Sequence, residues 1–257
     1  MSASASSPEV LVEARGLRKQ FAGFTAVNGV DLSIRKGQIH ALIGPNGAGK
    51  TTCFNLLTKM LEPTSGSIFF GGQDITRMSP ARVARLGMVR SFQISAIFPT
   101  LTVLDNVRVA LQQKRGGSLR FWRSDRTLSR LDAEAMGLLA DVGLQDAAQS
   151  VAGDLSYGRK RALEIATTLA LDPQMLLLDE PTSGMGVEDV RLTTALIRRV
   201  SSTRTVLMVE HNLGVVADLA HRITVLAAGE VLTEGTYDQV SNDDRVRAAY
   251  IGRKADK

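Results

Sequence analysis

A chain of 257 residues, 44% hydrophobic and 22% charged, is long enough for one large α/β domain, or one domain with a small appendage, and has the composition of a globular protein. Its apolar residues fall in short runs, as at 175–178 and 223–226, far below the roughly 18 that a bilayer span needs, so no membrane span is expected. A net charge of +5, from 31 basic and 26 acidic residues, neither demands nor excludes an anionic partner. The single Cys53 rules out an internal disulfide, which agrees with a reducing compartment.

Residues 1–8, rich in Ser and Ala, lack the basic start and apolar stretch of an export signal and are expected to form a flexible tail ahead of one domain over 9–257. Apolar runs predict strands at 10–14 and 26–34, and a third at 39–43 that ends in a glycine-rich turn with a helix from Lys50. Further strands are predicted at 67–70, 88–92, 175–179, 205–209 and 222–226, each followed by turn residues or a helical pattern. Strands alternating with helices imply an α/β sheet with helices around it. Between 99 and 153 the apolar spacing changes to three and four (Leu128, Leu131, Ala135, Leu138, Leu139, Val142), which predicts a helical subdomain. Inside it, Lys114, Arg115, Arg120, Arg123 and Arg126 surround the only tryptophan, Trp122. A charge run of this kind reads first as a solvated loop, next as a lipid- or partner-facing patch, and last as a nucleic-acid contact.

Gly44-Pro45-Asn46-Gly47-Ala48-Gly49-Lys50-Thr51-Thr52 fits the phosphate-loop pattern, placed after a predicted strand and before a predicted helix. Glycines let the backbone turn tightly and aim its N–H groups at phosphate oxygens, while the new helix points its positive end at the same anion. Lys50 would neutralise the β- and γ-phosphates and Thr51 would offer a hydroxyl to Mg²⁺, making a nucleoside triphosphate and Mg²⁺ the expected ligands. A second element, Met175-Leu176-Leu177-Leu178-Asp179-Glu180-Pro181, is an apolar strand with two adjacent carboxylates at its carboxyl end, where ligand sites of open α/β sheets lie. Asp179 is suited to hold Mg²⁺, and Glu180 to polarise the water that attacks the γ-phosphate.

These two motifs leave kinases, GTPases and many ATPases open. The segment Leu155-Ser156-Tyr157-Gly158-Arg159-Lys160-Arg161, followed by Leu163-Glu164-Ile165-Ala166, resembles the signature of ABC ATPases, usually L-S-G-G-Q, and in this form the branch serving uptake of branched-chain and other hydrophobic amino acids. The resemblance implies a P-loop ATPase core with an antiparallel β subdomain and an α-helical subdomain, the latter over about 99–153 plus the signature helix. Phe21 matches the aromatic that stacks on adenine, with Phe24 the second choice. Gln93 matches the glutamine that ligates Mg²⁺ and senses the γ-phosphate, and His211 the switch histidine that contacts the γ-phosphate and positions the attacking water. His40 and His221 belong to no motif and are expected to be structural.

The resemblance also implies assembly. In the family, the signature, here Ser156, Tyr157 and Gly158, caps the ATP held by an opposite ATPase subunit, so a homo- or heterodimer is expected. Integral membrane permease subunits are the next partners, with residues 94–101 as their candidate contact. A substrate-binding protein would be engaged only indirectly, and no nucleic acid is expected. The expected place is the cytoplasm, peripheral on the inner face of the cell membrane, powering uptake of branched-chain amino acids or a related small polar solute. The alternative is a soluble ABC ATPase acting on ribosomes or DNA; such proteins generally carry two cassettes or a long coiled-coil insertion, and this sequence has neither. Two positions depart from the family pattern: Arg159 stands where Gln is usual, adding a cation near the opposite phosphates, and Gly186 replaces an Asp or Asn that helps link the two sites.

Overall fold

Two sheets of different kind carry the chain in the computed structural model, which describes residues 9–91, 97–114 and 125–251. The elements in order are β1 (Val10–Phe21), β2 (Phe24–Arg35), β3 (Ile39–Ile43), α1 (Lys50–Leu57), β4 (Ser65–Phe70), β5 (Gln73–Asp74), α2 (Pro80–Arg85), β6 (Met88–Ser91), α3 (Val103–Lys114) and α4 (Asp125–Asp141). There follow α5 (Tyr157–Leu169), β7 (Met175–Asp179), α6 (Val187–Ser201), β8 (Thr205–Val209), α7 (Leu213–Leu219), β9 (Arg222–Ala227), β10 (Glu230–Gly235), α8 (Tyr237–Ser241) and α9 (Asp244–Ile251). The first sheet is antiparallel, ordered β2-β1-β4-β5, and the second runs β10-β9-β3-β8-β7-β6. Every pairing from β9 to β6 is parallel, and only β10 runs against its neighbour.

Alternation along the central strands feeds two separate cores. From β7 and β8, Leu176, Leu178, Val206 and Met208 join the core built with α3, α4, α5 and α6, while Met175, Leu177, Leu207 and Val209 join the core under α1 and the antiparallel sheet. A parallel sheet covered on both faces requires near-continuous apolar strands, which is why β3, β7 and β8 are buried along their whole length. Phe54, Leu56 and Leu57 of α1 are fully buried in the second core, so the helix that follows the phosphate loop is anchored at its far end.

Each strand expected from the sequence is present, with β1 and β2 longer than expected. The run expected at 88–92 is described as far as Ser91, and Phe92 lies outside the described residues. β1 and β2 extend to a two-residue turn in which Ala22 and Gly23 both take positive φ (22° and 91°), the turn that suits the twist of a hairpin. The sequence reading missed β10. Its turn, Ala228 and Gly229 (φ 50° and 84°), is of the same kind, but its residues Glu230–Gly235 are mostly half-buried and lack a clean apolar alternation.

Candidate functional site

Because β3, β8, β7 and β6 are parallel, their carboxyl ends open on one edge of the sheet, where α/β proteins bind ligands. Leu42, Val209 and Asp179 pair level with one another across three neighbouring strands. The segments that follow are therefore set side by side: the phosphate loop after β3, His211 after β8, and Glu180 after β7. Gln93, expected beyond β6, lies outside the described residues.

The loop from Gly44 to Gly49 needs its glycines. Gly44 and Gly49 have φ of 149° and 96°, and a Cβ on either would fall 2.1 Å from the Leu226 carbonyl oxygen or 2.4 Å from that of Ala26. The loop is thus clamped between β9 and β2, and Gly229 N–H donates to Ala48 O at 3.0 Å to close the clamp. Lys50 folds back so that its ammonium donates to the carbonyls of Gly44 (2.7 Å) and Pro45 (3.0 Å), while Thr51 at the helix start is exposed. Asn46 and Gly47 are exposed, and Pro45 and Thr52 half-buried, so the loop's outer side faces solvent. The C-terminal helix also reaches this loop: burial pushes the Tyr250 phenol up, and a hydrogen bond with the Gly44 backbone opposes the shift.

Asp179 ends β7 almost fully buried, and its Oδ2 accepts from Arg90 at 2.6 Å. Arg90 also donates to Asn55 Oδ1 at 2.7 Å and lies 4.9 Å over the Phe54 ring, so one half-buried guanidinium ties β6, β7 and α1 together. The sequence reading missed Arg90; its only signal was a cation in an otherwise apolar strand. Glu180, next in the chain, takes a positive φ of 44°, unusual for a residue with a side chain. Its N–H donates to Val209 O at 2.9 Å, and its Oε1 stands 3.8 Å from His211 Nδ1. A partly exposed carboxylate, an exposed imidazole and a loop of backbone N–H groups with a lysine thus share one edge. That set can hold a polyphosphate, orient a water molecule and take up its proton.

The donor set also fits Mg²⁺. A threonine hydroxyl and one carboxylate are hard oxygen donors, and Mg²⁺ takes one or two carboxylates with phosphate and water filling the rest.

Several expected residues sit where their neighbours explain them. Phe21 pairs with Phe24 across the hairpin tip; both are exposed, and Lys19 Nζ lies 5.2 Å over the Phe21 ring. The hairpin leads into Ala26, which packs on Gly49, so both rings belong to the segment flanking the phosphate loop. Ser156 caps α5, with Tyr157 60% exposed and its hydroxyl 3.4 Å from Ser183 O in the turn after Glu180. Gly158 packs so tightly on α6 that a Cβ would fall 2.4 Å from Asp189 Oδ1. Arg159 does not extend a free charge from the signature: its Nη2 donates to both carboxylate oxygens of Asp146 at 2.6 and 2.5 Å. Gly186 is the N-cap of α6 and offers no capping side chain. Cys53 is fully buried, its thiol pushed up to about 12 by burial, so it is a packing residue. His40 and His221 are structural as expected, the first bonded to Thr224 Oγ1 at 2.8 Å and the second accepting from Ile39 N–H at 3.0 Å.

A groove of about 360 Å³ opens beside β6 and α3, lined by Met60, Met88, Phe98, Val109, Ala110 and Leu171 among others. Met60 and Phe98 are half exposed there. Of the contact segment expected at 94–101, residues 94–96 lie outside the described residues.

Comparison with known proteins gives this geometry its class. Residues 27–183, more than half of the chain, match the ABC transporter family model, and residues 230–256 match the model described as branched-chain amino acid ATP-binding cassette transporter. Two curated relatives are each 36% identical. The high-affinity branched-chain amino acid transport ATP-binding protein BraF of Pseudomonas aeruginosa aligns over 252 residues, 94% of this chain and 98% of its own length. Its counterpart LivG of Escherichia coli aligns over 249 residues with the same coverage. An ATP-binding cassette of an ABC transporter solved in its ADP conformation superposes with TM-score 0.83 at 27% identity, covering 95% of this chain and 99% of that one. A nucleotide-free cassette from an ABC transporter superposes with TM-score 0.82, also at 27% identity, covering 95% of this chain and all of that one. The chain belongs to the ABC transporter family as an ATP-binding subunit, an ATPase that powers transport. Among the described residues no helix is long and apolar enough to cross a membrane.

Proposed function

We propose that this subunit drives uptake of branched-chain amino acids or a related small solute, working as one of two ATPase subunits beneath integral membrane permease subunits. The observation that carries the reading is the C-terminal segment, residues 230–256, whose match is to the branched-chain amino acid model and which includes β10, α8 and α9. Residues 9–257 act as one ATPase domain, with α3, α4 and α5 as its helical part and residues 1–8 as a tail. The chain sits peripherally on the inner face of the membrane, and a substrate-binding protein reaches it only through the permease.

In this reading the backbone of residues 44–49, Lys50 and Thr52 hold the phosphates of ATP, and Phe21 stacks on adenine. Thr51, Asp179 and Gln93 hold Mg²⁺, which when bound supplies positive charge to the β- and γ-phosphates. Glu180 orients the attacking water and takes its proton, while His211 holds the γ-phosphate side of that water. The bond from water oxygen to γ-phosphorus forms as the bond to the β-phosphate oxygen breaks, leaving ADP and phosphate. Ser156, Tyr157 and Gly158 cap the ATP of the opposite subunit, so loss of the γ-phosphate loosens the pair. The exposed Met60 and Phe98 make the groove beside β6 the candidate seat of the permease.

The test is recovery of the tagged chain from detergent-solubilised native membranes, with copurifying proteins identified by mass spectrometry, together with uptake of labelled leucine by cells lacking this gene. Copurifying polytopic subunits and lost leucine uptake, restored by the wild-type chain but not by Lys50→Ala, are the expected outcome. Normal leucine uptake without the gene would refute the solute assignment, and ribosomal or DNA-bound partners without permease subunits would refute the assembly.

A further inference from the structure

We propose that Glu210 is a positioning residue for ATP hydrolysis, a buried carboxylate that locks the turn carrying Glu180 and the segment carrying His211 into one unit. The inference rests on the hydrolytic roles given above to those two residues. Glu210 follows β8 directly and is 1% exposed. Four donors converge on its two oxygens. Oε1 accepts from Thr182 N–H at 3.0 Å and from the Thr182 hydroxyl, and Oε2 accepts from the N–H groups of His211 at 2.9 Å and Asn212 at 3.1 Å.

No cation among the described residues pairs with Glu210, so these hydrogen bonds alone offset the cost of burying it. Their direction is informative: one oxygen serves the turn after β7 and the other serves the segment after β8. Thr182 stands two residues beyond Glu180, in the turn closed by Ser183 N–H donating to Glu180 O at 3.1 Å. A non-glycine residue at φ 44° persists only where its surroundings over-determine it, and the anchored turn supplies that constraint. The same carboxylate fixes the backbone of His211, whose Nδ1 faces Glu180 Oε1 at 3.8 Å. Displacement of about 1 Å in such a pair costs on the order of a hundredfold in rate. An amide at this position offers one acceptor and two donors, so one of the two anchored segments would face N–H against N–H.

The experiment uses the full chain with ATP and Mg²⁺, reading single-turnover hydrolysis and, separately, ATP affinity by calorimetry. Glu210→Gln should slow turnover by about tenfold or more with affinity within about threefold of the parent, because the phosphate loop is untouched. In a His211→Ala background the same substitution should cost less than about threefold, since what Glu210 maintains is the alignment of Glu180 against His211. Parental turnover in Glu210→Gln, or an equal tenfold loss in both backgrounds, would overturn the proposal; the second result would mean a merely structural role. Should Glu210→Gln fail to fold, Thr182→Val removes one of the four bonds, with about threefold loss expected in the parent and none in the His211→Ala background. No loss in the parent, or the same loss in both, refutes the proposal equally. If His211→Ala itself retained parental turnover, the assignment of His211 would fail instead, an outcome separable from a neutral Glu210→Gln beside an impaired His211→Ala.

Discussion

The two ends of the parallel sheet use polar residues in opposite ways. At the amino ends of β3 and β9, His40 is fully buried and bonds Thr224, Thr224 donates to Glu234 Oε2 at 2.9 Å, and Arg222 pairs with Glu234. That network is satisfied almost wholly within the chain, although His40 Nδ1 finds no partner among the described residues. At the carboxyl ends, Glu180 and His211 stand partly open to solvent, in loops held by buried groups such as Asp179–Arg90 and Glu210. Polar groups that find their partners inside the chain fix structure, and those presented to a ligand carry function.

Removing a buried partner should do the most damage to the fold. Arg90→Met leaves Asp179 buried without its cation and should cost about 3–5 kcal/mol in denaturant unfolding, a loss partly recovered by adding Asp179→Asn. At the reactive end the change should fall on rate instead: Glu180→Gln is expected to slow hydrolysis about a hundredfold or more with ATP binding intact, measured by single turnover and calorimetry. Lys50→Ala should weaken ATP binding by about tenfold or more, since a cation within hydrogen-bond reach of phosphate is lost. Near-parental affinity would remove Lys50 from that role.

A smaller effect separates the two ends by pH. Burial holds His40 down to about 4, below its ordinary 6.5, against the pull of Glu234 and with Arg222 adding to the depression. As pH falls from about 6.5 the unfolded chain takes up this proton before the folded one, so stability drains between about pH 6.5 and 4 and levels off below. His40→Gln should flatten that part of the stability profile in denaturant titrations at several pH values; an unchanged slope would assign the acid loss to other groups. The smallest change belongs to the loop after Glu180. Gly186→Asp gives α6 a capping side chain and should add a few tenths of a kcal/mol, about what replacing a glycine N-cap yields, read as a slight rise in melting temperature.

Much of this was legible in the sequence because the relevant signals are local. A strand, a glycine turn and a helix with Lys50 are contiguous, and the apolar run 175–178 before Asp179 announces a buried strand by composition alone. What stayed hidden depends on partners far apart in the chain. Arg90 meets Asp179 across 89 positions and Glu210 meets Thr182 across 28, and neither residue type at its own position says which carboxylate or which turn it will meet. Arg159 shows the same limit in the other direction. Its place in the signature suggested a charge offered outward, and only the fold shows Asp146 turning it aside.

With the role proposed for Glu180, its left-handed backbone sets turnover against durability at a single position. Glycine there would relieve a conformational cost of about 1 kcal/mol while deleting the carboxylate. On the role proposed above for Glu180, a chain selected only for resistance to heat would drift toward glycine and lose that chemistry.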